Sequence, residues 1–204
     1  MKKIMLFAAL VTLALGGAMV SCYFDATRDN PNDPRAGGTI KSDVFMYATL
    51  GHTGTLPGRM GANDLCKARH SSAYPKLPNK NIYAFISTSG TDEIRKMVDL
   101  YDFPTDKLIK GPTGIQIADN WYDLMDGDID NKLTDAAVTT SPWWSGSMGD
   151  GSYAGIAESC NGWTSDSGSG YIGDPSYYET TSWIAHTSSN CSEGRVVLCV
   201  CWDY

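Results

Sequence analysis

The stretch "NCSEGRVVLCVCWDY" (190–204) sets the problem of the fold. Within it, "RVVLCVCW" (195–202) is apolar at every position after the arginine. Both faces of such a segment need cover, as in a central strand between two layers. Cys199 and Cys201 point to the same side of that strand, and a bridge between them would be strained. Cys191 lies just upstream, and Cys22, Cys66 and Cys160 make up the six.

The redox compartment follows from the other terminus. "MKKIMLFAALVTLALGGAMVSC" has Lys2 and Lys3 as a charged n-region, an apolar run from Ile4 to Leu15, and small residues beyond. Cys22 directly after Met19-Val20-Ser21 resembles a bacterial lipobox, with Met19 where leucine is usual. That pattern implies a lipidated Cys22 as the mature N-terminus. Acyl chains at about 0.8 kcal/mol per buried methylene would then hold the protein on a membrane. No other apolar run approaches the ~20 residues of a spanning helix. The reading is residues 1–21 as lipoprotein signal, 22–43 as a polar tether rich in Pro, Asp and Asn, and 44–204 as one folded domain. The expected location is extracytoplasmic, at the outer membrane or cell surface. There the remaining cysteines read as a disulfide framework rather than a metal site. Spacing alone leaves their pairing open.

Composition narrows the classes further. The 204 residues carry a net charge of -7, so the basic footprint of a nucleic-acid binder is missing. Twenty-one Gly and eleven Tyr beside three His describe a loop-rich chain with short strands, not a helical bundle. "VFMYATL" (44–50) and "NIYAFISTS" (81–89) read as strands. "GANDLCKARHSS" (61–72) reads as a short helix capped by Asn63 or Asp64. "TDEIRKMVDLY" (91–101) reads as a second, capped by Thr91 or Asp92, with Ile94, Met97, Val98 and Tyr101 at helical spacing. From Lys107 to Ser182 the chain reads mostly as loop, which needs staples.

Catalytic and metal motifs are weak. "GSGYIG" (168–173) and "GDGSYA" (149–154) match glycine-rich nucleotide patterns formally, but neither follows a strand and opens a helix, so the glycines are loop builders. His52, His70 and His186 are dispersed, and no G-x-S-x-G or H-E-x-x-H occurs. No enzyme activity and no cofactor are expected. Asp126, Asp128 and Asp130 alternate like the start of a calcium loop. The pattern then fails, with Asn131 in place of the turn glycine and Ala137 in place of the bidentate Glu, so a solvated acidic turn is the expectation.

Aromatic residues offer the better binding candidates. All six Trp lie beyond residue 120, and Trp121, Trp163 and Trp202 read as packing for a sparse core. Trp143 and Trp144 are adjacent and face opposite ways in an extended segment, so one of them is a candidate for exposure. Tyr171, Tyr177 and Tyr178 sit in a Gly/Ser-rich stretch of the kind that makes adaptable contacts.

Five blocks carry a resemblance across about Val44 to Trp202: "GRMGANDLCKAR", "NIYAFISTS", "DNWYDLMDG", "PWWSGSMGDGSYAGIAESCNGW" and "SNCSEGRVVLCV". Their order and spacing resemble the endostatin domain of collagens, a C-type-lectin-like fold, and more closely a related domain of unknown function in surface lipoproteins of spirochaetes. The resemblance implies an α+β, C-type-lectin-like domain with two short helices, a small antiparallel sheet and a long loop region. It also implies nested bridges, Cys66–Cys199 and Cys160–Cys191. Cys201 has no counterpart in that pattern and is either a buried free thiol or an alternative partner for Cys66. The E-P-N, Q-P-D and W-N-D triplets of calcium-dependent lectins are absent, as are the arginine clusters and N-terminal histidines behind endostatin's heparin and zinc binding. The expected function is a membrane-anchored binding or adhesion module that takes a protein or glycan through its long loops without calcium. The alternatives are a structural envelope lipoprotein with no dedicated ligand and, behind it, an unrecognised hydrolase.

Overall fold

β1 (Val44–Ala48) opens the domain and is followed by α1 (Gly58–Ala73), β2 (Asn81–Ala84), α2 (Met97–Tyr101), β3 (Ile109–Lys110) and β4 (Gln116–Ala118). Then come α3 (Trp121–Leu124), β5 (Trp143–Trp144), α4 (Cys160–Trp163), β6 (Ser169–Gly173), β7 (Thr187–Asn190) and β8 (Leu198–Trp202). These elements belong to a computed structural model that describes residues 43–203. The signal segment, Cys22 and the tether up to residue 42 lie outside the described residues. Asp43, placed in the tether by the sequence, is buried and pairs with Lys110 (Oδ2–Nζ 2.8 Å).

The strands form a five-stranded sheet in the order β2-β8-β1-β3-β4 and a three-stranded sheet in the order β5-β6-β7. β1 runs antiparallel to β8 but parallel to β3, so the larger sheet is mixed where an antiparallel one was expected. The excursion from β1 to β3 contains α1, β2 and α2, enough chain for the crossover a parallel pair needs. The fold is α+β, with further short elements in the half read as loop.

β8 is the central, doubly covered strand. Leu198, Val200 and Trp202 enter one cluster with Met46, Phe85, Trp143 and Trp183. Cys199 and Cys201 enter the other with Tyr47, Cys66, Trp144 and Trp163. Each large side chain removed from water adds roughly 1.5–3 kcal/mol. Trp143 and Trp144 do face opposite ways, but both are fully buried. The expected exposure fails because Trp143 enters the cluster of Val200 and Trp202 while Trp144 enters that of Cys199 and Cys201, so neither face of β5 is free.

The helices depart from the sequence reading in instructive ways. α1 starts at Gly58, and no side chain caps it. Asn63 serves elsewhere, since its Oδ1 accepts the N–H of Ala84 (2.8 Å). Ala62, Cys66 and His70, one turn apart, form the buried stripe of α1. The second helical stretch begins as a 3-10 turn over Ile94–Lys96 and becomes α2 at Met97. Asp92 does not cap it, because its carboxylate is held by Arg59.

Two bridges clamp this body. Cys66–Cys199 joins α1 to β8 across 133 residues, and Cys160–Cys191 joins α4 to the chain after β7 across 31. The second lies inside the first, which is the pairing the resemblance implies. Close packing around α4 depends on Gly146, whose φ is +59°. A Cβ there would lie 2.6 Å from the Ser87 carbonyl oxygen and 2.7 Å from Cζ2 of Trp163. Trp163 Nε1 donates to that same carbonyl (2.7 Å), so neither neighbour can yield freely. Gly146→Ala is expected to cost about 2–4 kcal/mol from the left-handed backbone and overpacking together. Thermal unfolding should register a fall of roughly 5–15 °C.

Candidate functional site

A strand at a sheet edge leaves backbone donors and acceptors unpaired, and this chain closes most of its edges. At β2, Ala84 N–H is taken by Asn63, while Arg59 Nη1 donates to Ala84 O and Nη2 to Ile86 O, each at 2.6 Å. At β4, Asp130 N donates to Ile117 O (2.8 Å) and Asn131 Nδ2 to Gln116 O (3.0 Å). At β5, Trp144 N donates to Val196 O (2.9 Å). β7 is different, since among the described residues no strand or bridge lies beyond it. Cys191 N donates inward to Gly168 O (3.0 Å). By alternation the backbone of Ser189 also faces β6, and the N–H groups of Ser188 and Asn190 face out. The Asn190 carbonyl turns back to accept from Glu193 N (2.9 Å).

The side chains around this edge are hydroxyls and carboxylates. Ser188 Oγ donates to Glu158 Oε2 (2.6 Å), and Ser169 Oγ donates to the same oxygen (3.3 Å). Glu158 makes no ion pair among the described residues. A hollow of about 260 Å³ is lined by Ile172, Thr187, Ser189, Asn190, Glu193 and Arg195, with Ser169 and Ser188 completing it. Ser189 Oγ donates to Glu193 Oε2 (3.1 Å), and Arg195 Nη2 pairs with the same carboxylate. Arg195 Nε is buried and has no partner. Arg195 is held in place by a two-way backbone bridge to His52 (2.7 and 3.0 Å). Burial holds the His52 ring below the ordinary imidazole range, which favours its neutral form.

The sequence candidates divide around this surface. Tyr171 pairs across the ladder with Ser188 and is half-buried. Tyr177 is 42% exposed and its ring stacks on His186 (5.2 Å), the residue before β7. Tyr178 packs against the core, its hydroxyl donates to Glu179 (3.0 Å) and its ring faces Lys132. Tyr171 and Tyr177 therefore belong to the site, Tyr178 flanks it, and Trp143 and Trp144 are buried away from solvent. Asp126, Asp128 and Asp130 are exposed elsewhere. There Gln116 Nε2 donates to both Asp119 Oδ1 and Asp130 Oδ2, each at 2.7 Å. No group of three or more His, Cys, Asp or Glu among the described residues is arranged to hold a metal ion.

Sequence reasoning overlooked Thr187–Asn190, Glu158, Glu193 and Arg195. "HTSSNC" (186–191) lacks the β-branched alternation that marks a strand, and its one signal is the hydroxyl run.

The remaining titratable groups are committed elsewhere. His70 Nε2 lies 3.2 Å from Leu77 O, and among the described residues no hydrogen bond joins the His52 or His186 ring to a Ser or Cys side chain. Cys201 is a buried free thiol. Burial above all, with Asp203 nearby, pushes it well above the ordinary thiol range. The thiol is thus protonated and shielded at neutral pH. Iodoacetamide at pH 8 should leave Cys201 unmodified in the folded protein and alkylate it only in denaturant, as peptide mass mapping would show. Compared with protein-family models and with curated proteins, the chain matches none.

Proposed function

We propose that the protein is a lipid-anchored, extracytoplasmic binding or adhesion module of C-type-lectin-like, endostatin-like fold, displayed at the outer membrane or cell surface. It takes a protein or glycan partner on the β5-β6-β7 sheet and its loops, without calcium and without catalysis. The observation that carries this reading is the open edge of β7 beside a hydroxyl-lined hollow, with Tyr177 exposed at its end. A domain that closes its other sheet edges with side-chain and backbone bonds and leaves one open, rimmed by hydrogen-bonding groups, has a surface suited to contact. Two bridges fit an oxidising compartment, and their nesting supports the family resemblance. Lipidation at Cys22 follows from the sequence pattern, outside the described residues.

The test is a screen of the purified, oxidised protein against arrayed glycans and matrix proteins, with and without calcium, beside protease accessibility on intact cells. Binding that is insensitive to chelator, by a domain that protease reaches from outside, is the expected result. A domain that stays inaccessible on intact cells and captures nothing would favour a structural envelope protein.

A further inference from the structure

We propose that β7 docks an extended, lysine- or arginine-bearing segment of a partner polypeptide, which adds a strand to the β5-β6-β7 sheet. The inference rests on the binding-module reading and names the class of partner. Edges that must stay unpaired usually carry a charge or a proline, and Thr187-Ser188-Ser189-Asn190 has neither. Its outward groups, the N–H and C=O of Ser188 and the N–H of Asn190, are what an incoming strand would bond. Main-chain bonds give such a contact its hold, and flanking side chains give it selectivity.

Here selectivity is acidic. Glu158, held by the Ser169 and Ser188 hydroxyls, lies beside the docking edge with no cationic partner among the described residues. A basic side chain projecting from the added strand beside Ser188 would reach it with a charge-assisted hydrogen bond. On the far side of the strand, Glu193 already pairs with Arg195, and the hollow that both sides of the edge line suits a small polar side chain. The Tyr177–His186 stack extends the footprint past the start of β7. A second copy of the chain fits poorly. Antiparallel self-pairing through Ser188 would bring two Glu158 carboxylates together, and the net charge of -7 adds repulsion.

The probe is a fluorescent, acetylated and amidated peptide Thr-Lys-Val-Lys-Thr-Lys-Val, whose lysines share one face of a strand. Its counterpart has Glu for each Lys. Titrated into the purified, oxidised protein, the lysine peptide should bind about tenfold tighter than its counterpart. Amide exchange at Ser188 and Asn190 should slow about tenfold when it is bound. Glu158→Gln, which leaves the backbone alone, should remove most of the preference for lysine. Ser188→Pro, with near-ultraviolet dichroism confirming its fold, should abolish binding of both peptides. The proposal is overturned if neither peptide binds, if both bind equally, if Ser188→Pro leaves affinity unchanged, or if protection arises from a dimer without peptide. Glycan or matrix binding by a protein that takes up neither peptide would overturn the docking edge yet leave the binding module standing.

Discussion

Cys66→Ala/Cys199→Ala should destabilise the folded protein by about 5 kcal/mol, and Cys160→Ala/Cys191→Ala by about 3.7, as chain-entropy losses. The order follows from the closed loops, 133 residues against 31. Both sulfur pairs are buried in the same cluster, beside Tyr47, Trp144 and Trp163, so the packing lost is similar and loop size decides the difference. Net stabilities of about 5–15 kcal/mol leave little margin for the first change and less still for both. Urea unfolding of the oxidised variants is the measurement. The double variant lacking Cys66–Cys199 should have the lower midpoint, and removing all four sulfurs should abolish the cooperative transition. The reverse order would mean that local packing around α4 outweighs the clamp between α1 and β8.

The legible part of this fold was the part written in apolar pattern. "RVVLCVCW" announces a strand covered on both faces, and β8 is that strand, because alternation sends its side chains into two clusters. The helical spacing of Ile94, Met97, Val98 and Tyr101 likewise survives, since those four side chains meet the core. Caps were misread because Asn63 and Asp92 are drawn to longer-range partners, Ala84 N–H and Arg59, that no local window contains. The exposure expected of Trp143 or Trp144 assumed a strand with one free face; tertiary cover removed it. The candidate site was half legible. Tyr171 and Tyr177 stood out by composition, whereas the open edge of β7 is a property of what does not pair with it. Only the folded arrangement of the other strands could supply that.

Arg59→Ala is expected to cost about 2–4 kcal/mol, because it removes one partner of a half-buried ion pair together with two hydrogen bonds to carbonyls. Arg59 is a keystone between elements. Its guanidinium grips Asp92 through Nε (2.8 Å) and Nη2 (2.6 Å) and also satisfies the carbonyls of Ala84 and Ile86. Burial alone would push the Asp92 carboxyl up, but hydrogen bonds from Arg59, Thr88 and Tyr101 together hold it below the usual carboxylate range. Tyr101, its hydroxyl 2.9 Å from Asp92, is pushed up to about 12, by burial first. In the intact protein the depressed carboxyl therefore stabilises fully above an unfolded value of about 4 and loses that contribution as pH falls through its folded value. Without the guanidinium the balance inverts. Burial then dominates, the carboxyl rises, and the folded variant gains relative stability as acid neutralises it. The stability gap between intact protein and variant should accordingly narrow from pH 7 to about pH 4, read by urea midpoints across that range. A gap that stays constant would mean that the carbonyl contacts, not the charge pair, carry the loss. The same substitution leaves the Ala84 and Ile86 carbonyls without their donors at the β2 edge, so concentrated samples should associate on a sizing column where the intact protein does not. Arg59→Lys tests the geometry, because one ammonium cannot span Asp92, Ala84 and Ile86 together.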